Sequence, residues 1–205
     1  MSAEPIVFVV DDEAIVRETV SRMVREFGYA VETFPSADAF LARPRTDRLA
    51  CLVLDVMLAG STGFDLIAEL ERDQEDLPTI FITGEGSIPM SVRAMKTGAV
   101  EFLTKPLDKA AFRAAIEHAL ARAAEQREVR AELRALEERL ARLTDREREV
   151  LAQVVTGRLN KQIARDLGVV EQTIKVHRAH IMQKLDAKSV ADLVRFTERI
   201  AALRS

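Results

Sequence analysis

The 205-residue sequence contains a single cysteine, Cys51, set in the apolar run LACLVLD. One thiol cannot close an intramolecular disulfide or build a cysteine-based zinc site, so its expected role is core packing. Long apolar tracts are missing too. None approaches the roughly 20 residues of a membrane span, and Met1 to Pro5 lack the basic residues and apolar stretch of a signal peptide. The expectation is a cytoplasmic protein with no membrane partner. Nor is positive charge in excess: Lys and Arg number 30 against 33 Asp and Glu, a formal charge of −3 that excludes a polybasic, histone-like chain. Between Leu107 and Thr156 glycine and proline vanish, while Ala, Leu, Glu and Arg dominate, which favours helix.

With 48% hydrophobic and 31% charged residues, the composition is that of a folded protein, and the length suits two small domains. Charge divides along the chain. Residues 144–205 hold 12 Lys and Arg against 8 Asp and Glu, net +4, while residues 1–143 hold 18 against 25, net −7. An acidic front and a basic back point to different ligands.

The first half alternates short apolar runs with amphipathic stretches. Strands are expected at Ile6 to Val10, Ala30 to Phe34, Leu49 to Leu54, Thr79 to Thr83 and Val100 to Leu103. Helices are expected near 14–27, 36–42, 63–73 and 88–97. This β-α rhythm implies an α/β fold, a doubly wound five-stranded parallel sheet of flavodoxin-like type. In such a sheet ligands bind at the carboxyl ends of the strands. Those ends carry Asp11, Asp12 and Glu13, then Asp55, then Thr83, then Lys105 and Pro106. Carboxylates gathered this way repel unless a cation joins them, and hard oxygen donors without nearby His or Cys point to Mg²⁺. Asp55 can then attack a phosphoryl group, with Lys105 and Thr83 placed to bind its oxygens.

VVDDE at 9–13, LVLDVMLAGSTGFDL at 52–66, FITGEGSIPMSVRAMKTGA at 81–99 and EFLTKPL at 101–107 resemble the receiver domain of bacterial two-component response regulators. The resemblance implies that Asp55 is the phosphoacceptor, fed by a cognate histidine kinase. It implies that Asp12 binds Mg²⁺ directly, Asp11 mainly through water, and the Met57 carbonyl completes the protein ligands. Thr83 and Phe102 would form the switch pair, and Lys105 would bind the phosphoryl group and precede a cis peptide to Pro106. Phe102 departs from the tyrosine common there and lacks a hydroxyl to donate. Gly84 would leave the phosphoryl site open to water.

Further on, Val129, Leu133, Leu136, Leu140 and Leu143 recur at spacings of 4, 3, 4 and 3, a short seam that suits either a parallel dimeric coil or a helix lying on its own domain. Thr144 and Glu147 form a capping box, so a new helix and a new domain should start there. Four helices are expected, near 145–156, 160–167, 171–185 and 189–203, making an all-α domain. NKQIARDLGVVEQTIKVHRAHIMQKL has the form of a helix-turn-helix, with Gly168 at the turn. Its second helix would expose Gln172, Lys175, Val176, Ala179 and Gln183 as a stripe suited to the major groove of double-stranded DNA. Lys161, Thr173, His177, Arg178 and Lys184 flank that stripe as candidate phosphate contacts.

Residues 143–194 resemble the LuxR-type DNA-binding domain of NarL/FixJ response regulators, and the receiver with its linker is closest to the FixJ branch. At Val170 this sequence departs from the Ser or Thr that often caps the recognition helix there. The expected division is a receiver at 1–120, a helical linker at 121–143 and a DNA-binding domain at 144–205. The expected function is a transcription factor, not an enzyme beyond slow autophosphorylation and autodephosphorylation, that forms a homodimer on phosphorylation. Two other readings stand beside it: a regulator that binds DNA without phosphate, and an Mg²⁺-dependent phosphohydrolase. The second is disfavoured because Met57 stands where such a hydrolase needs a further carboxylate.

Overall fold

The computed structural model describes residues 4–204; residues 1–3 of the amino-terminal stretch read above lie outside the described residues. The chain forms two compact units, one ending at Gln126 and the other beginning at Arg127.

The first unit is built on β1 (Ile6–Val10), β2 (Ala30–Phe34), β3 (Ala50–Asp55), β6 (Thr79–Thr83) and β7 (Glu101–Thr104), all parallel and ordered β2-β1-β3-β6-β7. A short antiparallel hairpin, β4 (Met57–Leu58) with β5 (Ser61–Thr62), follows β3. Helices α1 (Ala14–Glu26), α2 (Ala37–Leu41), α3 (Gly63–Arg72), α4 (Ile88–Lys96) and the long α5 (Lys109–Ala141) complete the sequence up to the second unit.

Because β1 and β3 lie in the middle of the sheet, every residue in them is buried, which explains their unbroken apolar runs. Alternation sorts them between two cores. Val7, Val9, Cys51, Val53, Ile80 and Ile82 pack with Val20 and Val24 of α1 and with Phe112 and Ile116 of α5. Phe8, Val10, Leu52, Leu54 and Phe81 face Phe40, Phe64, Leu66 and Ala94 on the other side. Cys51 is core filler as expected, and burial pushes its thiol pKa up to about 12, so it stays protonated. The strand order reverses at β1, which puts the topological switch point between the carboxyl ends of β1 and β3.

The second unit holds the last part of α5, then α6 (Asp145–Val154), α7 (Asn160–Asp166), α8 (Glu171–Leu185) and α9 (Val190–Arg204). The Thr144 hydroxyl accepts from Glu147 N–H at 3.3 Å, and the Glu147 carboxylate accepts from Thr144 N–H at 2.8 Å, so the capping box forms as read. Gly157 and Gly168, at φ +81° and +66°, make the turns that end α6 and α7. Val150, Leu151, Ile163, Ile174, Ile181, Leu185, Leu193 and Phe196 are among the residues of one core. Leu133, Leu136 and Leu140 pack half-buried against that same core, and Leu143 is fully part of it; Val129 is exposed. Arg199 binds Glu132 through both Nε and Nη2, at 2.7 and 2.6 Å, and Arg204 binds Glu137. Among the described residues no helix is long and apolar enough to cross a membrane.

Candidate functional site

Asp11 follows β1 and Asp55 ends β3, so the parallel register delivers two carboxylates to the switch point; both are buried. Asp12, the next residue, is exposed, and one carboxylate oxygen from each of the three lies within 4.8 Å of the others. Lys105 closes the group from the end of β7. Its Nζ donates to Asp55 Oδ2 at 2.6 Å and to Asp11 Oδ2 at 2.8 Å, with Glu13 Oε1 at 3.6 Å. The peptide from Lys105 to Pro106 is cis, as expected.

The remaining carboxylate oxygens are held by main-chain amides. Met57 N–H donates to Asp55 Oδ1 at 3.1 Å, and Glu13 N–H donates to Asp11 Oδ1 at 2.9 Å. Burial raises the Asp11 carboxyl above its ordinary pKa, against the opposing pull of Lys105 and the Glu13 amide. For Lys105 burial pulls downward, but the hydrogen bonds to Asp11 and Asp55 outweigh it and hold its pKa above the ordinary lysine value. One ammonium thus serves two buried carboxylates, and Asp12 adds more negative charge. This cluster of hard oxygen donors is compatible with Mg²⁺.

Thr83 is buried at the end of β6, its hydroxyl accepting from Glu85 N–H at 3.2 Å. Phe102 is half-buried and packs against the core on the α4 side of the sheet. A Cβ built on Gly84, the residue after Thr83, would meet nothing within 4 Å. Three neighbours went unread in the sequence. Arg17 Nη1 donates to the Asp11 carbonyl at 2.7 Å and steadies the turn after β1. Gly63 lies so close to β3 that a Cβ would fall 2.4 Å from the Asp55 carbonyl oxygen. Gly86 is similarly confined, 2.5 Å from Thr104 Cγ2. The two glycines stand in the quoted motifs, and their close approach is the signal that spacing alone does not carry.

In the second unit α8 exposes Gln172, Lys175, Val176, Ala179 and Gln183, the stripe expected of it, while Ile174, Ile181 and Leu185 point into the core. The flanking residues fare differently. Lys161 is exposed; Thr173, His177 and Arg178 are half-buried, and Arg178 Nη1 donates to Asn160 Oδ1 of α7 at 2.6 Å. The Nδ1 atom of His177 is buried without a hydrogen-bond partner. Lys184 is half-buried, and its Nζ donates to Glu147 Oε2 at 2.6 Å. Glu147 is only 3% exposed, and it was read as a capping residue alone. No side chain caps α8 at Val170, and Glu171 faces Lys175 at 3.6 Å instead.

Comparison with known proteins agrees with both halves. Residues 7–117 match the response regulator receiver domain family, and residues 141–197 match the luxR family of bacterial regulatory proteins. Nodulation protein W of Bradyrhizobium diazoefficiens is 42% identical over 199 residues, covering 97% of this chain and 88% of its own length. Transcriptional regulatory protein FixJ of Rhizobium meliloti is 42% identical over 193 residues, covering 92% and 93%. Among solved structures, the response regulator StyR is 46% identical with a TM-score of 0.81, covering 96% of this chain and 100% of its own. Full-length FixJ from B. japonicum is 34% identical with a TM-score of 0.58, covering 98% and 99%. A receiver fold carrying a buried aspartate pair and one lysine, followed by a LuxR-type helix-turn-helix, places the chain in the response-regulator family of NarL/FixJ type.

Proposed function

We propose that this response regulator accepts a phosphoryl group on Asp55 from a cognate histidine kinase and thereby gains affinity for double-stranded DNA. The observation that carries the reading is the buried Asp55 carboxylate, with Lys105 Nζ at 2.6 Å, inside a cluster whose negative charge exceeds its positive charge. Asp55 attacks phosphorus, the bond from the kinase imidazole to phosphorus breaks, and an acyl phosphate forms on the carboxylate. Asp11, Asp12, Asp55 and the Met57 carbonyl would hold Mg²⁺, which when bound supplies charge neutralisation for the incoming phosphoryl oxygens. Lys105 and Thr83 bind those oxygens, and Met57 N–H orients the nucleophile. Gly84 puts no side chain beside Thr83, which suits access of water and slow autodephosphorylation. Ile15 and Met57, both exposed near the acidic residues, suit apolar contacts with the kinase.

The coupling runs through the Thr83 and Phe102 switch pair to α4. That helix buries only Ala94 and leaves Ile88, Val92 and Met95 exposed, an apolar stripe that favours a homodimer once the pair has moved. Two copies then place two α8 helices on neighbouring half-sites. Gln172, Lys175, Val176, Ala179 and Gln183 face the bases, and Lys161, Thr173, His177 and Arg178 lie beside the backbone. The work is done in the cytoplasm, by a receiver at 1–120, a linker at 121–143 and a DNA-binding domain at 144–205.

The test is intact mass and sedimentation with acetyl phosphate and Mg²⁺. The expected result is one added phosphoryl group, absent in Asp55→Asn, together with a shift from monomer to dimer. Labelling of Asp55→Asn at the wild-type level rejects the site, and an unchanged sedimentation coefficient rejects the coupling.

A further inference from the structure

The turn after β1 carries two of the three clustered carboxylates, buried Asp11 and exposed Asp12, and the peptide between them sets how the two side chains are disposed. Three hydrogen bonds hold this turn. Asp11 N–H donates to the Phe34 carbonyl at 3.2 Å, which keeps the start of the turn on the sheet, and Glu13 N–H donates to Asp11 Oδ1 at 2.9 Å. The third comes from a side chain: Arg17 Nη1 donates to the Asp11 carbonyl at 2.7 Å, and that oxygen belongs to the peptide joining Asp11 to Asp12.

The acceptor that Arg17 takes is informative. Lys105 directs its charge to carboxylates, 2.6 Å from Asp55 and 2.8 Å from Asp11, whereas Arg17, among the described residues, forms no ion pair and bonds a neutral carbonyl beside the acidic cluster. It holds the turn and leaves the carboxylates to other partners. Its place is unfavourable for α1 itself, because a cation reaching back from the fourth helical residue lies at the positive end of the helix dipole, and α1 has no acidic residue in its first turn to offset it.

We propose that Arg17 is a positioning residue for Mg²⁺, which by locking the peptide between Asp11 and Asp12 presets their carboxylates for the cation. The inference rests on the assignment of that cluster to Mg²⁺. Groups that orient metal ligands from behind contribute roughly 10- to 100-fold in affinity. Coulomb's law alone gives the opposite sign, since taking a positive charge away from an acidic cluster strengthens its hold on a dication. The sign of the change therefore separates positioning from simple electrostatics.

The experiment is calorimetric titration of the full chain with magnesium chloride, without phosphodonor, for the wild type and Arg17→Met, followed by acetyl phosphate labelling over a range of Mg²⁺ concentrations. Arg17→Met should bind Mg²⁺ about tenfold more weakly. The Mg²⁺ concentration for half-maximal labelling should rise by the same factor, while the rate at saturating Mg²⁺ stays at the wild-type value. In the metal-free protein the Glu13 amide should exchange faster, while Val20 and Val24, in the buried part of α1, keep wild-type protection. If Arg17→Met does not fold, Arg17→Lys takes its place; it keeps the charge but lacks the guanidinium fork, and it too should bind Mg²⁺ more weakly.

Mg²⁺ binding equal to or tighter than wild type overturns the proposal. A lower rate at saturating Mg²⁺ with an unchanged half-maximal concentration does so as well, and so does loss of protection throughout α1, which would make Arg17 a stabiliser of that helix alone. Failure of the underlying assignment reads differently: the wild type would itself take up no Mg²⁺, and the proposal would fall with it.

Discussion

Each unit of the chain buries carboxylate against lysine, and the two clusters are built to opposite specifications. In the receiver, Asp11 and Asp55 share one ammonium, Lys105, with Asp12 and Glu13 close by. In the DNA-binding unit one carboxylate, Glu147, meets one ammonium, Lys184, with His180 Nδ1 at 3.8 Å, and its remaining bonds go to the Thr144 cap. The pKa shifts follow. Burial raises Asp11, and the cation it shares with Asp55 is too little to reverse the effect. At Glu147 burial also pushes upward, but the hydrogen bonds from Lys184 and Thr144 outweigh it and hold the carboxyl below its ordinary range. A cluster with excess negative charge is one that a divalent cation can complete, whereas a balanced one has no such charge left to neutralise.

The largest expected effect separates the two clusters by chemistry. Asp55→Asn removes the nucleophile at nearly constant shape, so labelling by a phosphodonor should vanish while the circular dichroism spectrum stays native. Chelating Mg²⁺ should do the same to the wild type. Glu147→Gln, by contrast, should label normally. Loss of labelling in Glu147→Gln at a temperature where it is folded would break the comparison.

The next effect is on stability. Glu147→Gln leaves Lys184 without its buried partner and should cost about 2 kcal/mol, seen as faster amide exchange in α6 and α8. The pH dependence carries a sign that differs between the units. Glu147 has a depressed pKa, so its stabilisation is complete above the unfolded-state value and is lost as pH falls through the folded one. Asp11 has a raised pKa, so its contribution is greatest when protonated and is lost as pH rises through the folded value. Hydrogen exchange on the metal-free full chain between pH 3 and 6, a window on the order of the usual carboxylate range, should show α6 and α8 loosening toward acid while β1 does not follow. Parallel loosening in both would contradict the assigned directions.

A smaller effect concerns the exposed pair between Glu132 and Arg199. Its geometry is bidentate, yet both side chains are about half exposed, at 42% and 52%. Glu132→Gln should therefore lower the thermal melting midpoint far less than Glu147→Gln does. A loss as large as that of Glu147→Gln would mean that exposure is the wrong criterion for ranking these ion pairs.

The sheet was legible because burial on both faces writes itself as continuous apolar runs, as in Ile6–Val10 and Ala50–Asp55. The polar residues at the ends of those runs then gave the receiver cluster with no further information. The hairpin at Met57–Leu58 and Ser61–Thr62 was not legible, since two-residue strands carry no periodicity. The seam at Val129 to Leu143 has a heptad spacing that fits intermolecular and intramolecular packing alike, and only the fold shows Leu133, Leu136 and Leu140 against their own core. Glu147 illustrates the same limit: its capping partner is three residues away, but Lys184 is 37 residues away and no local pattern joins them.

Lys184 gives the finest discrimination between a binding charge and a structural one. On α8 it flanks the exposed stripe as the residue after Gln183, and a basic residue there reads as a phosphate contact. Its bond to Glu147 spends that charge inside the protein. A lysine that neutralises a phosphate releases counterions, and its removal lowers the salt dependence of binding by about one unit, as expected for the exposed Lys161. Removing Lys184 alone would strand a buried carboxylate, so the informative variant is Glu147→Gln combined with Lys184→Met, which deletes both charges together. Titrations at several salt concentrations should give this double variant the wild-type slope, with any loss of affinity the same at every concentration. A slope lowered by about one unit would return Lys184 to the DNA backbone and make Glu147 its partner only in the free protein.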